Sequence, residues 1–377
     1  MIKRSFSFLT LLIFIWLIWS YEGRNLPLDP PEPYISVIQE INPNDSLERN
    51  IIGIQPYMVP SDYFSPERFK LKIRQYIQAA SAKGFIRKNT VILFPEYIGT
   101  WLFMIREKHA LAEKQTLKEA ISTLIFSNVF DYFLGYIKTG DESDKSISAI
   151  LRMKSRQMAQ VYYDTFSELS KETQTHIVAG SIILPGPYVS DEGLSVENQK
   201  ELYNVSFVFG PDGKILGAPI FETYPNTEEL KFITEPELKS VQTFQFPFSK
   251  ASVIISEDSW YSAPFKQVDS ESPDLVLVPS YQLGDGSMEK LWKGYHRRPS
   301  PEFVNESDTS QLTNREAYYK YGLPRHLQNT SPSVGLSVFL RGEFWELGTD
   351  GQPLAIVNDS SLQVSPAEKA GIWSLNY

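Results

Sequence analysis

Residues Thr90-Val-Ile-Leu-Phe94 run without the polar alternation that a half-wet strand needs. A strand of this kind is covered on both faces, so the fold must place a layer above and a layer below it. Comparable runs recur at Asn50-Ile-Ile-Gly-Ile-Gln-Pro56, His176–Leu184, Ser252-Val-Ile-Ile255, Leu275-Val-Leu-Val278 and Val334–Leu340. Helical stretches separate them. Ser65-Pro66-Glu67 supplies a cap, a first-turn proline and a first-turn acid for a helix to Ala82, and Ile147–Lys171 reads as a second amphipathic helix. Tyr203–Phe209, a Pro211-Asp-Gly213 turn and Lys214–Gly217 read as a hairpin, as does Trp345–Val357, while Gln311–Leu327 reads as helical. The alternation predicts an α/β layered domain. There is no internal repeat and no linker inside the main body, so residues 49–377 are expected to form one domain, with a mostly helical insertion at about 106–147.

The N-terminus has a different character. Residues 5–21 carry no charge and follow Lys3 and Arg4. Seventeen uncharged residues lie at the short end of the range for a spanning helix, with Trp16, Trp19 and Tyr21 at the far end. Residues 1–21 are therefore expected to act as a single N-terminal membrane helix, an uncleaved anchor, with a signal peptide as the rival. The expected location is single-pass in a membrane, with the C-terminal domain on the extracytoplasmic side. Residues 22–48, rich in proline, read as a spacer.

Thirty-six Lys and Arg stand against 45 Asp and Glu, a net charge of −9, which disfavours nucleic acid as a partner. There is no cysteine, which excludes disulfides, thiolate metal sites and a thiol nucleophile. The four histidines (His109, His176, His296, His326) have no ligand spacing, so no metal or cofactor is read from the chain. Gly284-Asp-Gly-Ser-Met288 lacks the Lys-Ser/Thr of a phosphate loop and reads as an ordinary loop. Lys290–Arg298 mixes cations with aromatics and is expected near a pocket rim. Asn204 heads an Asn-x-Ser triplet but lies in an expected strand, a poor position for glycosylation.

Four segments, in order, carry a resemblance. Leu93-Phe-Pro-Glu96 resembles the Phe-Pro-Glu signature of the nitrilase (carbon–nitrogen hydrolase) superfamily. Asn204–Phe209 with Pro211–Gly217 is similar to that family's hairpin before its lysine. Val253-Ile-Ile-Ser256-Glu257-Asp258 is similar to its nucleophile strand, and the terminal Ser337–Phe339 and Gly348–Gly351 segments fit as well. The resemblance implies an αββα sandwich and dimerisation through a helical face, hence an expected homodimer. It also implies a Glu–Lys–Cys triad acting on amides or nitriles, or in acyl transfer.

Carried over by position, Glu96 matches the general base and Ser256 the nucleophile, while the lysine position, read as four residues past Gly217, falls on Phe221. The nearest cations, Lys214 and Lys231, read as surface amines, and Glu228 and Glu229, one of which matches a supporting acid, read as surface charges. A serine hydroxyl is far harder to ionise than a thiol, and losing one oxyanion donor typically costs about 10²–10³ in rate. The expectation is a degenerate triad: a pseudoenzyme lacking cysteine-dependent amidase activity and serving as a binding or scaffold module for a small amide or acyl ligand. The alternative is an amide hydrolase or acyltransferase with Ser256 as nucleophile and Glu96 as base.

Overall fold

In a computed structural model of the chain, described for residues 2–43, 49–237, 241–295 and 300–377, two sheets stack between helical layers. The first sheet contains β1 (Ile35–Ile41), β2 (Arg49–Gln55), β3 (Asn89–Leu93), β4 (His176–Pro185), β5 (Leu202–Phe209), β6 (Ile215–Phe221) and the terminal strand Ala370–Asn376. The second is built from β7 (Thr243–Gln245), β8 (Lys250–Val253), β9 (Leu275–Ser280), β10 (Val334–Phe339), β11 (Leu354–Val357) and β12 (Ser360–Ser361), so the terminal strand is β13. Their orders are β1-β13-β2-β3-β4-β5-β6 and β7-β8-β9-β10-β11-β12.

The unbroken apolar runs are the strands covered on both faces. In β3, Val91 and Leu93 face the second sheet, while Ile92 faces the helical layer. In β9, Leu275 and Leu277 meet the first sheet, and Val276 and Val278 meet the far helices. Strand alternation thus divides each run between two cores, which is why neither face needs polar residues.

The outer layer on the first sheet consists of one helix over Pro66–Ala82 and another over Lys145–Thr173. Ser65 caps the first by accepting the Arg68 N–H at 3.1 Å, and Asp144 caps the second by accepting the N–H groups of Ser146 and Ile147. Phe69, Ile73 and Tyr76 of the first and Met158, Tyr162 and Phe166 of the second are buried against the sheet. Short helices over Ser262–Glu271, Asn314–Tyr321 and Leu323–Leu327 cover the second sheet. The expected αββα order of layers is present.

Two expectations change. The segment read as spacer contains β1, which pairs in parallel with β13 at the other end of the chain, Gln39 beside Trp373. That pairing spans more than 300 residues and has no local signal. The expected N-terminal membrane helix, and with it the single-pass membrane location, is not supported: among the described residues no helix is long and apolar enough to cross a membrane. The helix concerned spans Ile2–Tyr21. Its C-terminal half rests on the body of the protein: the Trp16 indole donates to the Phe126 carbonyl at 3.0 Å, and the Trp19 ring meets Phe126 edge-on. Arg24 then fixes the helix end, donating to the carbonyls of Ser20 and Ser127 and pairing with Glu107 at 3.3 Å.

One glycine matters to the loop after β3. Gly180 in β4 has φ +68°, and a Cβ there would lie 2.1 Å from the Pro95 carbonyl oxygen. Gly180→Ala is expected to destabilise the fold by roughly 2–4 kcal/mol, whereas Gly84→Ala, with a similar positive φ but open space around it, should cost only about 1–2 kcal/mol. Urea unfolding of the two variants measures the difference, and equal costs would refute the close-approach argument.

Candidate functional site

The candidate site lies at the strand ends where the two sheets meet. β3 runs out into Pro95-Glu96-Tyr97, and β4 holds this turn: the Ser181 N–H donates to the Pro95 carbonyl at 3.3 Å, and the Ser181 hydroxyl accepts the Tyr97 N–H at 2.9 Å. Tyr97 takes a positive φ of 61° in the process. Glu96 is thereby turned inward and is only 1 % exposed.

Ser256 follows β8 at the start of a short 3₁₀ turn and has φ +39°, a conformation that costs a non-glycine residue about 1–3 kcal/mol. Its side chain lies within hydrogen-bonding reach of Glu96 and works to lower the Glu96 carboxyl. The two residues that the sequence nominates from far apart in the chain are therefore in contact.

The lysine position resolves differently. Phe221 closes β6 half-buried, its ring edge-on to Tyr203 at 5.1 Å, and does not enter the site. The next residue, Glu222, is 2 % exposed and does. The Asn204 amide, itself 1 % exposed, donates to Glu96 Oε1 at 2.7 Å and to Glu222 Oε2 at 3.1 Å. Where the resemblance implies an ammonium, the chain brings a carboxyl group.

Glu229, read from the sequence as a surface charge, is buried as a third acid. Its carboxylate accepts the Tyr97 hydroxyl and, at 2.6 Å, the Asn226 N–H. Glu228 does remain on the surface, paired with the half-exposed Lys231, and Lys214 is exposed in its turn. Asp258 is buried behind Glu222. It accepts the Thr223 N–H at 2.9 Å, the Thr223 hydroxyl at 2.7 Å and the Tyr224 N–H at 2.8 Å, which fixes the backbone immediately after Glu222.

Burial dominates the electrostatics. It pushes Glu96 and Glu222 well above the usual carboxylate range, and the neighbouring charge of Glu229 adds to the effect in both. The hydrogen bonds from Ser256 and Asn204 oppose it only in part. Asp258 is pushed up to about 7, again by burial, against its hydrogen bonds from Thr223 and Tyr224. Among the described residues, no lysine or arginine pairs with Glu96 or Glu222.

A cleft of about 310 Å³ opens onto Ser256. Trp260, Tyr281, Tyr295, Tyr318 and Phe339 give it aromatic walls. Tyr281 packs edge-on against Tyr97 at 5.4 Å, and its buried hydroxyl has no hydrogen-bond partner. Lys290 and Lys293 line the cleft as the rim expectation requires, whereas His296, Arg297 and Arg298 lie outside the described residues. Ser287 and Met288 of the glycine-bearing loop also line it. His109, His176 and His326 each pack against a phenylalanine ring, away from one another.

Sequence reasoning missed Asn204, Glu222, Tyr97 and Tyr281 as members of the site. Asn204 left a trace, as an amide inside an otherwise apolar strand. Glu222 lies one residue beyond the matched lysine position, and strand alternation makes that one residue decisive.

No family model and no curated relative matches the chain. Solved structures do. An amidase from Nesterenkonia sp. aligns with a TM-score of 0.53 at 11 % identity, covering 87 % of this chain and 90 % of that one. A Cys-to-Ser variant of the Nesterenkonia AN1 amidase, of the nitrilase superfamily, aligns with a TM-score of 0.52 at 12 % identity over 86 % of this chain and 91 % of that one. Another variant of that amidase, with acrylamide added at its active-site cysteine, gives 0.53 at 11 % identity over 87 % and 93 %. At these identities the likeness is one of fold, and the chain carries the fold of the nitrilase, or carbon–nitrogen hydrolase, superfamily.

Proposed function

We propose that this chain is a non-hydrolytic binding module on a carbon–nitrogen hydrolase fold, taking a small amide or acyl ligand into the cleft beside Ser256. The observation that carries this reading is the carboxyl group of Glu222 joined to Glu96 through Asn204. Acyl transfer needs a base that is ionised at the outset and a positive or hydrogen-bond-donating group where the oxyanion forms. Burial raises the Glu96 carboxyl well above the usual carboxylate range, which works against the ionised base that a serine nucleophile needs. Glu222, when ionised, would repel an oxyanion, and only when protonated could it donate to one.

A second reading has a specific observation in its favour. Ser256 combines a strained backbone with a hydrogen bond to Glu96, a pairing that suits a serine nucleophile and its base. A panel of short amides, nitriles and acyl esters separates the two. The binding reading expects wild type, Ser256→Ala and Ser256→Cys to show the same background rate. Wild-type turnover that disappears in Ser256→Ala would establish the serine hydrolase instead, and turnover untouched by that change would overturn both readings.

The buried acids also set a pH dependence. Glu222 has its carboxyl raised from an ordinary value of 4.5, so above that pH the folded chain keeps a proton that the unfolded chain releases. The stability this group contributes is complete below about pH 4.5 and is lost as pH rises through the raised value; Asp258 acts likewise between 3.8 and about 7. The melting temperature of the wild type is expected to fall from about pH 5 to about pH 8. Glu222→Gln, which keeps a neutral group of the same shape, should flatten that slope and melt higher than wild type at the alkaline end. Parallel slopes would mean that Glu222 ionises freely.

A further inference from the structure

The cleft beside Ser256 holds polar groups that the fold itself leaves unused. Tyr281, Tyr295 and Tyr318 all line it. Tyr295 donates to the Trp260 carbonyl at 2.9 Å, and Tyr318 donates to the Ser337 hydroxyl at 3.4 Å. The Tyr281 hydroxyl is buried and has no hydrogen-bond partner, although its ring is held edge-on against Tyr97. Ser287, 6 % exposed, lines the same cleft, and its hydroxyl is unpartnered as well, while the Asn314 amide donates to its carbonyl at 2.8 Å and fixes its backbone. Buried polar atoms are ordinarily satisfied, so two orphan hydroxyls in the wall of one cleft indicate a polar ligand that completes them.

The surroundings of Tyr281 narrow the chemistry. It follows β9 directly and lies close enough to Glu96 to feel its charge, which adds to burial in holding the phenol above the usual tyrosine range. At neutral pH its hydroxyl is therefore an uncharged donor. Ser256 lines the same cleft with Glu96 beside it, a carboxyl group that suits an N–H donor. A carbonyl oxygen answers Tyr281, an N–H group answers Glu96, and a primary carboxamide carries both on one carbon. The apolar wall is flat and fixed: Trp260 is backed by Trp292, the ring planes 12° apart and the centroids 6.1 Å apart. Aromatic surface of this kind packs best against a flat apolar body. A volume of about 310 Å³ suits a small one. Lys290, Lys293 and Glu257 also line the cleft, so its lining carries both signs of charge and selects neither.

We propose that Tyr281 is the residue that reads the ligand's carbonyl oxygen, and that the ligand is an uncharged aromatic carboxamide of about the size of benzamide. The inference rests on the binding-module reading and adds to it the donor and the ligand class. The Tyr281 hydroxyl donates to the carbonyl, the amide N–H groups meet the Ser256–Glu96 side, and the ring lies among the aromatic walls. A carboxylate in that position would set its charge beside buried acids, and a ketone would offer them no N–H.

The test titrates the full chain at about pH 7 with benzamide, acetophenone and benzoate, three heads on one ring, followed by ligand-observed NMR. Wild type is expected to take one benzamide with a dissociation constant below about 1 mM and to bind the other two roughly tenfold more weakly or worse. Tyr281→Phe removes only the hydroxyl and should weaken benzamide by roughly tenfold, whereas Tyr319→Phe, at a half-exposed tyrosine outside the cleft, should leave it unchanged. Thermal melting separates recognition from a structural role. An unpartnered buried hydroxyl contributes nothing to the fold, so Tyr281→Phe should melt no lower than wild type. Wild-type affinity for benzamide in Tyr281→Phe overturns the proposal, and so does a variant that melts lower or fails to fold, or a wild type that binds benzoate or acetophenone as tightly as benzamide. Butyramide distinguishes the two levels of failure: a chain that takes butyramide but not benzamide keeps the binding reading and loses this inference, and one that takes neither loses both.

Discussion

The site depends on one amide. Asn204 joins Glu96 to Glu222 at a point where all three side chains are removed from water, so the chain has committed two acids to the interior with a neutral donor between them. Burying an ionised carboxylate costs several kcal/mol after relaxation, far more than one amide hydrogen bond returns. The charge must therefore be cancelled by protons or by a cation, and the neighbouring structure keeps the acids in place while that happens. Asp258 holds the backbone after Glu222, Ser181 holds the turn around Glu96, and Tyr97 and Asn226 orient Glu229.

Rigidity of this kind is supplied by the sandwich. β3, β4 and β8 deliver Glu96, Ser181 and Ser256 from strands covered on both sides, so small displacements of the strand ends would disturb two cores at once. That support also sustains the positive φ values of Tyr97 and Ser256, which an isolated loop would relax. Both strained residues lie next to the buried acids.

The amount of this that was legible in the sequence depends on the range of each signal. Two-faced strands announce themselves within a few residues, as Thr90–Phe94 does, and the Phe-Pro-Glu and Ser-Glu-Asp segments point to Glu96 and Ser256, which the fold brings into contact. The β1–β13 pairing has no local signature, because Gln39 and Trp373 find each other only once the whole sheet exists. Glu222 was missed through register. Counting a fixed distance past Gly217 arrives at Phe221, but Gly217 itself has φ +70° and the β5–β6 ladder shifts between Ser206 and Val208, so a fixed count is unreliable there. Glu229 was misread because an acid in a polar loop is ordinarily exposed, and only the fold shows Tyr97 reaching it. At the N-terminus, apolar composition pointed to a bilayer, whereas Trp16 and Trp19 are engaged with the protein's own Phe126 and Phe130.

The missing cysteine then takes second place to the acid at 222. A thiol becomes a nucleophile by ionising, and the field that favours this is positive. When ionised, the described carboxyl groups around Ser256 create the opposite field, which raises the cost of any anion, thiolate or alkoxide, at position 256. A serine tolerates this environment because it stays neutral and only donates a hydrogen bond toward Glu96. The exchange of sulfur for oxygen is thus compatible with the acidic site but does not explain it. The determining change is the carboxyl group carried beside Phe221: next to it a group that donates hydrogen bonds is favoured, and one that develops negative charge is not.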